Sequence, residues 1–187
     1  ETVGLQDGEV RMFDVSACGY AYRKSIFKEE WRGRYAVTHV HFRLSATFRP
    51  NLDYGGIREA LSAEGIRPEK VTAQDLRRVV IAIRKAKLPD PKVQGNAGSF
   101  FMNPVVSREV YEAIKGDYPD VPHYEVDAER VKIPAGWLIE RCGWKGRSLG
   151  RAAVHDRQAL VLVNLGGATG SEVVKLAEEV VRSVKEK

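Results

Sequence analysis

Long hydrophobic runs are missing from this chain of 187 residues. A bilayer-spanning helix needs about 20 consecutive apolar residues, and no stretch comes near that, so no membrane partner is expected. Cysteine is scarce. Cys18 and Cys142 are the two, far apart in sequence; they form neither a metal pattern nor a disulfide framework, and a reduced, cytoplasmic protein is the expectation. Histidine is equally thin. His39 and His41, two apart on one strand face, have the spacing of a chelating pair but no third ligand nearby, so they read as exposed strand histidines. There are no internal repeats and no low-complexity tracts. No signal peptide is visible, and the chain opens at Glu1 without an initiator methionine, so it reads as a fragment or a processed product. Neither sign of charge dominates: Lys+Arg is 30 against Asp+Glu 25, a net +5. That modest excess suits a ligand with phosphates, a nucleic acid, or neither.

What is present suffices for one domain or two small ones, with 43% hydrophobic residues to fill a core. Val3 to Leu5 and Val10 to Val15 flank Asp7-Gly8, the turn chemistry of a tight hairpin. Arg34 to Leu44 is rich in β-branched and aromatic residues and reads as a strand. Tyr54-Gly55-Gly56 reads as a mobile tip before a short helix over Gly56–Glu64. Thr72, with Asp75 three residues on, caps a longer helix with Leu76, Val79, Val80 and Ile83 along one side and Arg77, Arg78, Arg84 and Lys85 on its flank. Lys87 ends that helix before Pro89 and Pro91. From Leu88 a second unit begins. Ser107 caps a helix ending near Gly116, Val131–Ile133 is a short strand, and Pro134 opens a helix closed by Gly143. Arg147–His155 and Ala159–Asn164 are strands, the second apolar throughout and so central. Gly166 to Gly170 is a turn that lacks the lysine and spacing of a phosphate loop, and Ser171 caps a last helix. His155, at a strand end, reads as structural. The expected class is α+β.

The most informative stretch is Gly95-Asn96-Ala97-Gly98-Ser99-Phe100-Phe101-Met102-Asn103-Pro104. Two glycines permit positive φ and close approach of a ligand, two asparagines tolerate tight turns, and Ser99 carries a hydroxyl at the centre. By composition alone it is an ordered loop, with Phe100 and Phe101 as anchors to a core. Gly98 to Pro104 resembles the signature loop of the UDP-N-acetylenolpyruvoylglucosamine reductase family, flavoenzymes of bacterial wall synthesis. Three further stretches resemble the family in the same order: Tyr22-Arg23-Lys24-Ser25-Ile26-Phe27, Pro134 to Glu140, and Ala152 to His155 with Gln158 to Asn164. Met102 departs from the pattern, standing where many relatives have lysine, and the family is longer at both ends.

The resemblance implies an oxidoreductase of peptidoglycan biosynthesis, hence of cell wall biogenesis, cell shape and division, that reduces UDP-N-acetylglucosamine enolpyruvate with FAD and NADPH. It implies catalytic roles for Arg23, beside the enolpyruvyl carboxylate, and for Ser99, as proton donor. It implies substrate contacts at Tyr54 on a closing loop, Lys87, Asn103, Tyr124, Lys145 and Gln158. Aromatic neighbours Tyr20, Tyr22 and Phe27 are expected to desolvate Arg23 in part. The implied division is 1–88, the C-terminal part of a FAD-binding domain, and 89–187, a substrate-binding domain. The glycine-rich flavin-binding half and a late catalytic glutamate are expected outside this chain. A monomer is expected, without nucleic acid. Two other classes stay open: an inert UDP-sugar-binding module, and a basic nucleic-acid binder using the helix of residues 72–86.

Overall fold

The computed structural model describes all residues from Glu1 to Lys187. Helices and antiparallel sheets alternate through it, an α+β chain. It divides into two compact units, Glu1–Arg49 and Pro50–Lys187; the division expected at 88/89 falls inside the second of these.

In the first unit, β1 (Thr2–Gly4) pairs antiparallel with β2 (Val10–Arg11) and with β3 (Tyr35–Val37). The hairpin stands where Asp7-Gly8 put it, with Gly8 at φ 71°. Asp7 accepts from the Glu9 N–H and from the Arg11 guanidinium; the Arg11 bond above all holds its carboxyl down at about 2. Two expectations fail here. The residues before Val15 do not extend β2; Val15–Cys18 is instead a short helix, α1. The strand expected to Leu44 stops at Val37, because β1 offers only three residues to pair with; beyond it, Thr38 and His39 both donate to the Glu1 carbonyl. Val40, Phe42 and Leu44 are left exposed. His39 and His41 flank the Glu1 carboxylate at 3.1 and 3.6 Å and gather no metal-ligand cluster. Phe13, Phe27, Trp31 and Tyr35 pack as a half-buried aromatic cluster, some pairs edge to face and others tilted.

The second unit starts with a helical pair. α2 (Ile57–Ala63) packs on α3 (Ala73–Lys87) through Leu52, Ile57, Leu61, Val71 and Val79. Thr72 and Asp75 form the expected reciprocal capping box. Two antiparallel sheets follow. One has the order β4 (Asn96–Ser99), β10 (Val161–Asn164), β9 (Ala152–Val154), β8 (Ser148–Leu149). The other has β5 (Val105–Ser107), β7 (Arg130–Lys132) and β6 (Tyr124–Glu125). α4 (Arg108–Asp117), capped by Ser107, buries Tyr111 against Val121, Val131 and Ile133. α5 (Ala135–Arg141) and α6 (Gly170–Glu186) enclose the main core of Ile139, Val154, Leu162, Leu176 and Val180.

The strand expected over Arg147–His155 is two strands, because Gly150 at φ 64° turns the chain between them. The last helix begins earlier than expected: Thr169, not Ser171, is its cap, with Glu172 closing the box. β10 is central, as its apolar sequence requires. His155 is buried and accepts a hydrogen bond from the Arg157 N–H at 3.2 Å, a structural role.

Candidate functional site

Three of the residues implied as substrate contacts meet in one cleft of about 280 Å³ in the second unit: Tyr54, Lys87 and Gln158. α3 places Lys87 at its C-terminal end, where the chain leaves the helix for Leu88 and the prolines. Tyr54 is 80% exposed and is followed by Gly55 and Gly56, both at positive φ; few contacts hold it, which suits a side chain that swings onto a ligand. Gln158 lies in the β9–β10 connection, half-buried, with its amide oxygen accepting from the Leu160 N–H. Ile57, Val80 and Ile83 give the cleft an apolar wall. One charged lining residue was missed in the sequence. Arg84, read as an outer-face charge, shares this wall with Lys87, since residues three apart on a helix are neighbours. That spacing was the available signal.

Ser99 sits at the end of β4, not in a loop. The apolar β10 needs a partner on each edge, and Asn96–Ser99 supplies one, with Ser99 opposite Val161. Gly98 at φ 62° accommodates the register shift between Val161 and Val163, a bulge. Asn96 stiffens it: its amide oxygen accepts from the Gly98 N–H at 3.0 Å. The result is a short, pinned edge strand whose serine faces solvent. Phe101 packs on the main core, while Phe100 and Met102 stay largely exposed.

Arg23, in the first unit, lies at the corner of a tight turn. Ala21 and Lys24 exchange two backbone hydrogen bonds of 3.1 Å, and Arg23 between them has φ 58°, the one non-glycine residue of the chain with positive φ. Such a conformation costs of order 1–3 kcal/mol and concentrates at functional sites. The expected desolvation is absent. Arg23 is exposed, Tyr20 and Tyr22 are more than half exposed, and Phe27 packs on Phe13 and Trp31 instead. The guanidinium is held by its backbone turn, not by aromatic walls.

The remaining implied contacts do not line the cleft. Asn103 uses its side-chain oxygen to accept from Ala135 N–H at 2.9 Å, which fixes the start of α5. Tyr124 is on β6 under the Lys132 ammonium, 5.1 Å from its ring centre. Lys145 pairs with Glu140 at 2.9 Å. On α3, Arg78 is paired with Glu64 and Asp75, so part of the basic flank is neutralised.

Residues 90–187 match the family UDP-N-acetylenolpyruvoylglucosamine reductase, C-terminal domain. The chain belongs to this family. It is 54% identical, over 187 residues, to UDP-N-acetylenolpyruvoylglucosamine reductase of Bacteroides fragilis, covering 100% of this chain and 55% of that protein. It is 52% identical over 183 residues to the enzyme of that name from Burkholderia cenocepacia, and 50% identical over 183 residues to the one from Burkholderia multivorans. Each of these two matches covers 98% of this chain and 52% of the relative. The chain spans about half the length of the curated relatives it matches. The family region starts two residues after Leu88, at Asp90, and so takes in the glycine-rich strand, both sheets of the second unit and Gln158, while Tyr54 and Lys87 precede it.

Proposed function

We propose that the protein carrying this chain reduces the enolpyruvyl group of UDP-N-acetylglucosamine enolpyruvate to give UDP-N-acetylmuramate, in the cytoplasm, as a step of peptidoglycan synthesis. The observation that carries the reading is the convergence of Tyr54, Lys87 and Gln158 on one cleft in a chain of this family. Lys87 has no carboxylate partner and is available to a diphosphate, Tyr54 closes over it, and Gln158 offers an amide to a sugar or base. The division into 1–88 and 89–187, the monomeric state and the absence of a nucleic-acid partner belong to the same proposal, as do the contacts assigned to Asn103, Tyr124 and Lys145.

When bound, the flavin supplies a hydride to the vinyl ether, after taking its electrons from NADPH. Its phosphates have no fitting site at the one glycine-rich turn of this chain. At the start of α6 the Glu172 N–H is taken by the Thr169 hydroxyl and the Glu172 carboxylate closes back on Thr169, while Asn164 fills the turn by accepting from Gly166 and Ala168. We assign the flavin to other parts of the parent protein.

The residues in hand do two things. Arg23, pre-set by its strained turn, presents a planar cation to the enolpyruvyl carboxylate and stabilises the negative charge that develops on it. Ser99 donates its hydroxyl proton to the carbon next to the carboxylate. A serine hydroxyl is a weak acid, so the transfer needs the carbon to be strongly basic at that moment. Calorimetric titration of the parent protein with UDP tests the cleft. Lys87→Ala should weaken binding by about 1.5–3 kcal/mol, the range of a charge-assisted hydrogen bond. Unchanged affinity would remove the cleft from the substrate site.

A further inference from the structure

The connection between β9 and β10 is short and braced from within. The His155 N–H donates to the Val161 carbonyl at 2.9 Å, and the Val161 N–H donates to the Gln158 carbonyl at 3.0 Å. His155 and Ala159 are buried, so the chain is sunk into the core on either side of Gln158. Two side chains add to this. The His155 Nδ1 accepts from the N–H of Arg157, the residue just before Gln158, at 3.2 Å. A ring nitrogen that accepts carries no proton, so the ring proton belongs on Nε2, and the Asp156 carboxylate lies 3.4 Å from that atom. Gln158 is held at the far end of its side chain as well. Its Oε1 accepts from the Leu160 N–H at 3.4 Å and lies toward Gly136 of α5. An amide has one accepting end and one donating end. With the oxygen engaged inside the connection, the NH2 is the end left for the cleft that Gln158 lines.

We infer that His155 is a positioning residue for the cleft: by holding the Arg157 N–H it sets the backbone that aims the Gln158 NH2, as a donor, at an acceptor oxygen of the UDP-sugar. This rests on the reading of the cleft under the proposed function, and adds to it the direction of the Gln158 hydrogen bond and the residue that fixes it. His155 itself does not line the cleft. A side chain braced before the ligand arrives loses less freedom on binding, and that saving appears as affinity.

The test uses the complete parent protein and calorimetric titration with UDP-N-acetylglucosamine, with thermal unfolding measured alongside. Gln158→Ala should weaken binding roughly 3–10-fold, the worth of one neutral hydrogen bond. His155→Gln moves the accepting atom away from the Nδ1 position and should weaken binding by a similar factor. His155→Asn puts its Oδ1 close to where Nδ1 stands, accepts the N–H two residues on, and should bind within about 2-fold of wild type. The deciding arm is the double variant. In a Gln158→Ala background His155→Gln should cost nothing more, because a positioning residue acts only through the group it positions. A His155→Gln loss that persists in full in that background overturns the proposal, and so does a His155→Asn protein as weak as His155→Gln. If His155→Gln does not fold, amide hydrogen exchange in the wild-type protein decides instead: the Arg157 amide should be protected, and exchange at the unprotected rate overturns the proposal. Wild-type affinity in Gln158→Ala alone would defeat the reading of the cleft, and this proposal with it, so the two failures are distinguishable.

Discussion

At the scale of single residues, Arg23 is the position where conformation and chemistry separate. Its φ of 58° would suit glycine better. Arg23→Gly should therefore leave stability within about 1 kcal/mol of wild type, while turnover of the parent protein falls at least 100-fold if the cation faces the developing carboxylate charge, as for loss of one preorganised donor at about 10²–10³. Denaturant unfolding and steady-state turnover, measured side by side, check both halves; an active, stable glycine variant would remove Arg23 from the mechanism. The resemblance singled Arg23 out, and its φ sets it apart from every other non-glycine residue of the chain. The aromatic shielding expected from neighbours in sequence did not form, because Phe27 is drawn into the Phe13–Trp31–Tyr35 cluster. Arg84 is exposed, as a position on the helix's outer face should be, and it also lines the cleft, which no local pattern announces.

At the scale of elements, the helices were the most legible parts, because their caps are written locally. Thr72 and Asp75 were read as a capping box and form one. In α6 the box is Thr169 and Glu172, two residues earlier than expected from Ser171, since the glycine turn ends sooner than its composition suggested. Thr169→Ala should lower stability by about 1 kcal/mol, the usual worth of such a cap. The hydrogen bonds from Thr169, backbone first and side chain second, hold the Glu172 carboxyl below its ordinary range. A depressed carboxyl contributes stability above its unfolded value, and that contribution is lost as pH falls through the folded value. The gap between Thr169→Ala and wild type should thus narrow under acid, which thermal unfolding over a pH series would register; a gap constant with pH would mean that Glu172 is not the partner. Strands were less legible, because a strand's extent depends on its neighbour. β3 stops where β1 ends, and Asn96–Ser99, loop-like by composition, becomes a strand because β10 has an edge to fill.

At the scale of the whole molecule, a pinned serine on an edge strand and the cleft proposed for the nucleotide at the end of α3 belong to one compact unit of a chain in the UDP-N-acetylenolpyruvoylglucosamine reductase family. The class of fold was readable from the order of its elements, and the cleft was readable only through the family resemblance, since Tyr54, Lys87 and Gln158 are far apart in sequence and nothing in their local patterns brings them together. The claim at the centre is that this machinery binds the nucleotide with one set of residues and protonates carbon with another. Ser99→Ala in the complete parent protein separates the two most directly. UDP affinity and the rate at which NADPH reduces the bound flavin should stay near wild type, while turnover of the enolpyruvyl substrate falls by about 10²–10⁴-fold, the worth of general acid catalysis. Turnover near the wild-type rate would contradict the account.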